Sequence, residues 1–157
     1  MNLEFILDDQ PQRIQSEGLE TLMDLLRDRL QIDAVPDCCG EGDCGACVLM
    51  IDGELAMACL VPAVQIHRRV ITTAAGLVAA DPKLAATVQA LSESLDCSVC
   101  LPGFVAAAVA GAQSCQGRFD SDTFRRSLAG QLCPCGEAQS ICRTLKMALS
   151  PKAEGQS

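Results

Sequence analysis

Cysteine dominates the residues of this sequence that could do chemistry. The chain has 157 residues, among which there are eleven cysteines and one histidine, His67. Because the sequence shows no apolar signal segment at its amino terminus, we expect a reducing compartment, where many thiols indicate metal ligation more than disulfide bridges. A lone histidine excludes sites with two histidine ligands. The candidate ligands are therefore thiolates, in two ordered sets: Cys39, Cys44, Cys47 and Cys59, then Cys97, Cys100, Cys133 and Cys135.

The first set has the spacing C-x4-C-x2-C followed by a distant cysteine, which is typical of plant-type 2Fe-2S ferredoxins. Its loop, DCCGEGDCGAC, is rich in glycine, so the backbone can turn its N–H groups toward the sulfurs. The four-residue gap selects Cys39 over Cys38, and an Asp52-Gly53 hairpin turn would return Cys59 to the site. A four-cysteine zinc knuckle is the alternative interpretation.

The second set pairs C-x2-C with a remote C-x-C. Cys97 and Cys100 are followed, after thirty-two residues, by Cys133 and Cys135. Each pair immediately precedes a predicted helix, so two helix amino termini with free N–H groups would face one anionic cluster. This spacing alone supports zinc and iron–sulfur ligation equally.

Periodicity predicts an α+β chain. The first half should contain a small sheet and one helix, with Thr21 as the helix cap: strands over 3–7, 48–51, 54–58 and 70–73, and helical spacing of Leu22, Leu25, Leu26 and Leu30. The second half should be helical, starting at Asp81-Pro82 and continuing over 104–113, 122–129 and 137–149. We expect two domains, 1–78 and 79–150, and a disordered tail over 151–157.

Three segments together carry a family resemblance: DCCGEGDCGACVLMIDGELAMACLVPA, CSVCLPGF and GQLCPC. In this order they resemble the two-cluster iron–sulfur small subunit of the molybdenum hydroxylases, the family of xanthine dehydrogenase, aldehyde oxidoreductase and carbon monoxide dehydrogenase. The resemblance covers nearly the whole chain. It implies a β-grasp ferredoxin domain whose 2Fe-2S cluster is held by the first cysteine set, then a four-helix-bundle domain whose 2Fe-2S cluster is held by the second.

The resemblance also implies partners. A large subunit with molybdopterin would lie beside the second cluster, and a subunit carrying FAD, or a cytochrome, would face the first. Electrons from substrate oxidation would pass through this chain, which would contain no catalytic residue or substrate site of its own.

Three departures from the family pattern lie near the second set. Asp96 stands where members usually carry the Gln that contacts the pterin, and an ionised Asp can only accept hydrogen bonds. Pro134 replaces an Arg, and Gly136 to Ala138 replace Thr-Gly-Tyr. Two interpretations remain: a divergent molybdenum hydroxylase subunit with Asp96 at the pterin, or an electron-transfer subunit of a complex without molybdopterin. A non-redox interaction module stabilised by zinc is the third hypothesis.

The formal charge of -8 disfavours nucleic acid as a partner. No apolar run reaches the roughly 18 residues of a membrane span, so we expect no direct membrane insertion. We predict a cytoplasmic location, with co-export to the periplasm on a signal-bearing partner as the alternative.

Overall fold

The computed structural model describes residues 1–16, 18–115 and 120–150. Within these ranges the α+β prediction is confirmed, with five strands and six α-helices. The strands are β1 (Asn2–Leu7), β2 (Gln10–Gln15), β3 (Val48–Ile51), β4 (Glu54–Met57) and β5 (Val70–Thr72). The helices are α1 (Leu22–Asp24), α2 (Ala74–Ala80), α3 (Pro82–Ser94), α4 (Leu101–Ser114), α5 (Ser121–Ser127) and α6 (Ala138–Leu149). The predicted tail over 151–157 lies outside the described residues.

The five strands form one sheet in the order β2-β1-β5-β3-β4. β1 pairs with β5 in parallel and with β2 antiparallel, while β3 pairs antiparallel with both β4 and β5. Leu3, Phe5 and Leu7 of β1 are buried and alternate with exposed residues, as predicted. Alternation of this kind is what a sheet with one solvated face requires.

The apolar pattern does not predict strand β2, because its sequence QPQRIQ is almost entirely polar. It is an edge strand with an exposed face, so polar residues and Pro11 are tolerated there. The turn before it consists of Asp8 and Asp9, with φ of 47° and 63°. Aspartate is one of the residues that favour this left-handed turn, so the pair is a signal for the hairpin.

Two predicted turns and caps are present in the first half. Thr21 caps α1 in a capping box with Asp24, and a π-helical turn over Leu25–Arg29 continues the helix. Asp52 and Gly53 form the β3–β4 turn with φ of 52° and 86°. The hairpin that leads toward Cys59 therefore forms as expected from the sequence.

The hydrophobic interior divides into two clusters. The first lies between the sheet and α1, and the second, among the helices, begins at Ala74. Helix α2 has no counterpart among the predicted helices; with Ala74, Leu77 and Val78 it belongs to the second cluster, which starts ahead of the expected domain boundary after residue 78. That boundary stays a prediction.

Helix α4 joins the two clusters. It packs against α2, α5 and α6 and also against β3 and β4 of the sheet. The predicted helix over 104–113 is too short, because Pro102 occupies the first turn and Leu101 follows Cys100 directly. A proline is accepted there, since N–H groups of the first turn have no partner within the helix.

The Asp8 carboxylate connects the β1–β2 turn to the start of α2 through hydrogen bonds. The Asp8 carboxylate accepts hydrogen bonds from the backbone N–H of Thr73 (2.7 Å) and from its hydroxyl (2.7 Å). Thr73 is fully buried and caps α2. The same two residues thus connect the sheet to the first helix of the second cluster.

No described helix is long and apolar enough to cross a membrane.

Replacing Asp8 with alanine should leave two buried polar groups of Thr73 without partners. We expect Asp8→Ala to lower the free energy of unfolding by about 2–3 kcal/mol more than Asp9→Ala. Asp9 is the matched control, because it is exposed and shares the left-handed backbone, so the strain of substitution cancels. Urea unfolding followed by circular dichroism measures the difference. Equal losses in the two variants would contradict the role given to Asp8.

Candidate metal centres

Cys47 and Cys59 form a buried pair of thiols, with their sulfurs 3.4 Å apart. The β3–β4 hairpin brings them together, since Cys47 directly precedes β3 and the N–H of Ala58 donates to the Cys47 carbonyl (3.2 Å). Burial, followed by the hydrogen bond with Cys47, raises the pKa of Cys59 to about 11. A buried thiol of this kind ionises at neutral pH when a bound cation balances the charge.

Cys39 lies in a nest of backbone donors. The N–H of Glu41 is 3.5 Å from its sulfur. This donor, together with the backbone of Cys44 and Asp43 and the Cys44 thiol, lowers the pKa of Cys39 to about 6. The loop therefore favours the thiolate form of Cys39, which is the form that binds metal.

The neighbouring Cys38 has a different environment. Its side chain is exposed, and the hydrogen bond with the Cys44 thiol raises its pKa. Both adjacent cysteines thus reach Cys44, but the backbone donors around Cys39 favour a thiolate at that position. The selection of Cys39 over Cys38 as a ligand stays a prediction.

Left-handed glycines allow the loop to close. Gly42 has a φ of 83°, and a Cβ atom there would lie 2.4 Å from Cδ1 of Leu60. Any other residue would strain the backbone at this φ and would require the exposed Leu60 side chain to move. Gly42 therefore leaves room for Leu60, which follows Cys59, to lie against the loop.

The second set also meets as pairs. Cys100 shares a hydrogen bond with Cys133, and Cys97 shares one with Cys135. Burial raises the pKa of Cys100 to about 12. For Cys133 burial also acts upward, but hydrogen bonds from Cys100 and from the backbone of Glu137 and Cys135 outweigh it, so its pKa is lowered.

Two helix starts adjoin this second set, as predicted. Cys100 is the residue before α4, and α6 begins at Ala138, three residues after Cys135. Backbone N–H groups at helix starts carry partial positive charge. The contact of Cys133 with the Glu137 backbone shows one such group directed at a thiol.

The sequence-predicted residues are therefore brought together two at a time. Each set consists of two thiol pairs, and the two pairs of a set lie close enough to interact electrostatically. Besides burial, charge on Cys39 raises the pKa of Cys59 in the first set, and charge on Cys97 raises the pKa of Cys100 in the second. Over the described residues, no three His, Cys, Asp or Glu side chains gather closely enough to hold a single metal ion. Two pairs fit a 2Fe-2S cluster, in which each of two irons takes two thiolates.

The two cysteine sets are in contact where residues 44–45 of the first loop meet Gly103 and residues 130–132, a region that we call the seam. The N–H of Leu132 donates to the carbonyl of Cys44 (2.9 Å). Gly45 is so close to Gly103 that a Cβ atom on Gly103 would lie 2.1 Å from the Gly45 oxygen. The cysteine spacing does not reveal this seam, although a glycine in the first turn of a helix is a signal for close approach of another backbone.

Asp96, the other two cysteines of the second half and His67 do not belong to the thiol pairs. Asp96 is exposed beside Cys97. Cys142 is packed on the second core, and burial raises its pKa, while the Cys115 thiol donates to the Gly111 carbonyl (3.2 Å). His67 accepts a hydrogen bond from the backbone of Glu4 (3.2 Å), which is a structural contact.

Comparison with known proteins agrees with this chemistry. The 2Fe-2S iron-sulfur cluster binding domain matches residues 5–65. A probable xanthine dehydrogenase subunit of Bacillus subtilis (strain 168) is 36% identical over 126 residues, which are 78% of this chain and 72% of that protein. The xanthine dehydrogenase iron-sulfur-binding subunit of Escherichia coli O157:H7 is 30% identical over 92% of both chains.

The solved structures give the same result. A chain in the crystal structure of quinoline 2-oxidoreductase from Pseudomonas putida 86 superposes with a TM-score of 0.79 and 25% identity, covering 95% of this chain and 93% of that one. The sequence relatives, the fold and the arrangement of the thiols therefore indicate the same class of protein. The chain belongs to the iron–sulfur subunits of the xanthine dehydrogenase family of molybdenum hydroxylases.

Proposed function

We propose that this chain holds two 2Fe-2S clusters and conducts electrons between them. Cys39, Cys44, Cys47 and Cys59 would bind one cluster, and Cys97, Cys100, Cys133 and Cys135 the other. The observation that carries the proposal is the meeting of thiols as two pairs in each set, with Cys47 and Cys59 at 3.4 Å. When bound, each cluster supplies a site that accepts and releases one electron.

The residues of the chain would bind and insulate these centres. Buried Cys47, Cys59 and Cys100 keep water from one side of each site, and backbone donors around Cys39 and Cys133 offset negative charge on sulfur. Hydrogen bonds to the sulfurs and solvent exposure are the means by which a protein sets the potential of such a cluster.

The partners follow from family membership. We propose that a large subunit with molybdopterin delivers electrons to the second cluster, and that the first passes them to an FAD-containing or cytochrome subunit. The relatives are named as subunits of dehydrogenases, which supports a complex of this kind. Cys135 and Asp96 are exposed, so this side of the second set is accessible to a partner. Asp96 would then accept hydrogen bonds from the pterin.

The domain division would follow the two cluster sites. We propose a β-grasp unit over 1–78 and a helical bundle over 79–150, with the tail 151–157 outside both. The two hydrophobic clusters support a division into two units, with the second cluster beginning at Ala74. A cytoplasmic complex, or one exported with a signal-bearing partner, would accommodate the same chain.

The ligand assignment is tested by two single variants of adjacent residues. Cys39→Ala should remove one of the two reduced-cluster signals in electron paramagnetic resonance, because it deletes the thiolate in the backbone nest. Cys38→Ala is the matched control and should keep both signals, since the Cys38 thiol is exposed and its hydrogen bond with Cys44 raises its pKa. Loss of a signal in Cys38→Ala with retention in Cys39→Ala would overturn the assignment.

The partner assignment is tested on the native complex. An affinity-tagged full chain should co-purify with a large subunit that contains molybdenum and a pterin, and the amounts of metal and pterin should be equimolar with the chain. Recovery of a flavoprotein alone, with no molybdenum, would contradict the molybdopterin partner and favour the complex without it.

A further inference from the structure

Gln131 lies in the seam between the two candidate cluster sites. Its neighbour Leu132 donates to the Cys44 carbonyl, and Cys133 follows immediately. A Cβ atom added to Gly45 would lie 2.6 Å from the Gln131 Oε1 atom, and one added to Gly103 would also lie 2.6 Å from it. The side-chain amide therefore fills the space between the first cysteine loop and the first turn of α4.

The buried end of this amide lacks a partner. Gln131 Oε1 is inaccessible to solvent and accepts no hydrogen bond within the described residues. Two other oxygens share the crevice, the carbonyls of Gly45 and Gly130, which lie 2.1 Å and 2.7 Å from Cβ atoms added at Gly103 and Gly45. All three oxygens are acceptors, so this orientation brings like partial charges together and leaves a buried acceptor unpaired, at a cost of about 1–3 kcal/mol.

Rotation of the amide by half a turn exchanges its oxygen for its NH2 group in the same space. The buried end then carries two donors beside the carbonyls of Gly45 and Gly130. The Gly45 carbonyl already accepts from Val48 (3.1 Å), and a carbonyl oxygen has two lone pairs, so a second donor can be accommodated.

We propose that Gln131 is a positioning residue, whose side-chain NH2 donates to the Gly45 carbonyl and holds the two cluster loops at a fixed separation. The inference rests on the proposed function, because separation matters only if both loops carry clusters. Together with the Leu132 to Cys44 hydrogen bond, this contact would join consecutive residues of the second set's loop to consecutive residues of the first.

The test uses two variants of similar length in the full chain. Gln131→Met keeps the volume without any donor, and Gln131→Glu keeps the shape and carries acceptors alone when its carboxyl is ionised. The control is Gln89→Met, because Gln89 is exposed on α3 and contacts Glu93 (3.0 Å). Hydrogen exchange is followed at the Val48 and Leu132 amides, and the magnetic splitting between the two reduced clusters is measured by electron paramagnetic resonance.

In both Gln131 variants the Val48 and Leu132 amides should exchange about tenfold faster, as expected for one lost hydrogen bond. The splitting between the two clusters should become broader, because the distance between the loops is no longer fixed. Gln89→Met should match the wild type in both measurements. Wild-type exchange in Gln131→Met, or in Gln131→Glu at a pH where the Glu carboxyl is ionised, would overturn the proposal, since a side chain without a donor would then hold the loops equally well. Exchange needs no cluster, so it decides the role of Gln131 even in a variant that loads poorly. Absence of two cluster signals in the wild type would instead refute the proposed function.

Discussion

Negative charge on sulfur is costly to bury, and the fold provides for it at each group of cysteines. Around Cys39 the compensation comes from backbone N–H groups of a glycine-rich loop, and around Cys133 it comes from the backbone at the start of α6. Cys59 and Cys100 lie on the apolar side, where burial raises the thiol pKa and a bound cation must supply the balance. Each set therefore combines a polar half with an apolar half.

The same requirement explains why a sheet and a helical cluster are combined. The sheet provides the hairpin that returns Cys59 to the loop, and the helices provide two starts beside the second set, one following Cys100 and one following Glu137. Helix α4 serves both parts, because it packs on β3 and β4 while its first turn follows Cys100. Gly45 and Gly103 at the seam have no side chain, which allows the two thiol sets to lie side by side.

Local signals in the sequence predict much of this architecture. Alternation along β1, the Asp52-Gly53 turn and the Thr21 cap are decided by residues next to one another, so they can be read directly. Strand β2 cannot be predicted in this way, because an edge strand with one solvated face needs few apolar residues. It forms because it pairs with β1. Helix α2 escapes prediction for a similar reason: its short AAGLVAA sequence is stabilised by packing on the second core.

The cysteine pattern predicts two sets of four thiols, while the pairing within each set and the seam between the sets depend on tertiary contacts. No spacing rule places Gln131 beside Gly45, which is 86 positions earlier in the chain. The most direct test of the account is iron, zinc and acid-labile sulfide analysis of the purified full chain, combined with spin counting after reduction. We predict about four irons, four sulfides and two spins per chain, as two 2Fe-2S clusters require; zinc without sulfide, or a single spin, would contradict it.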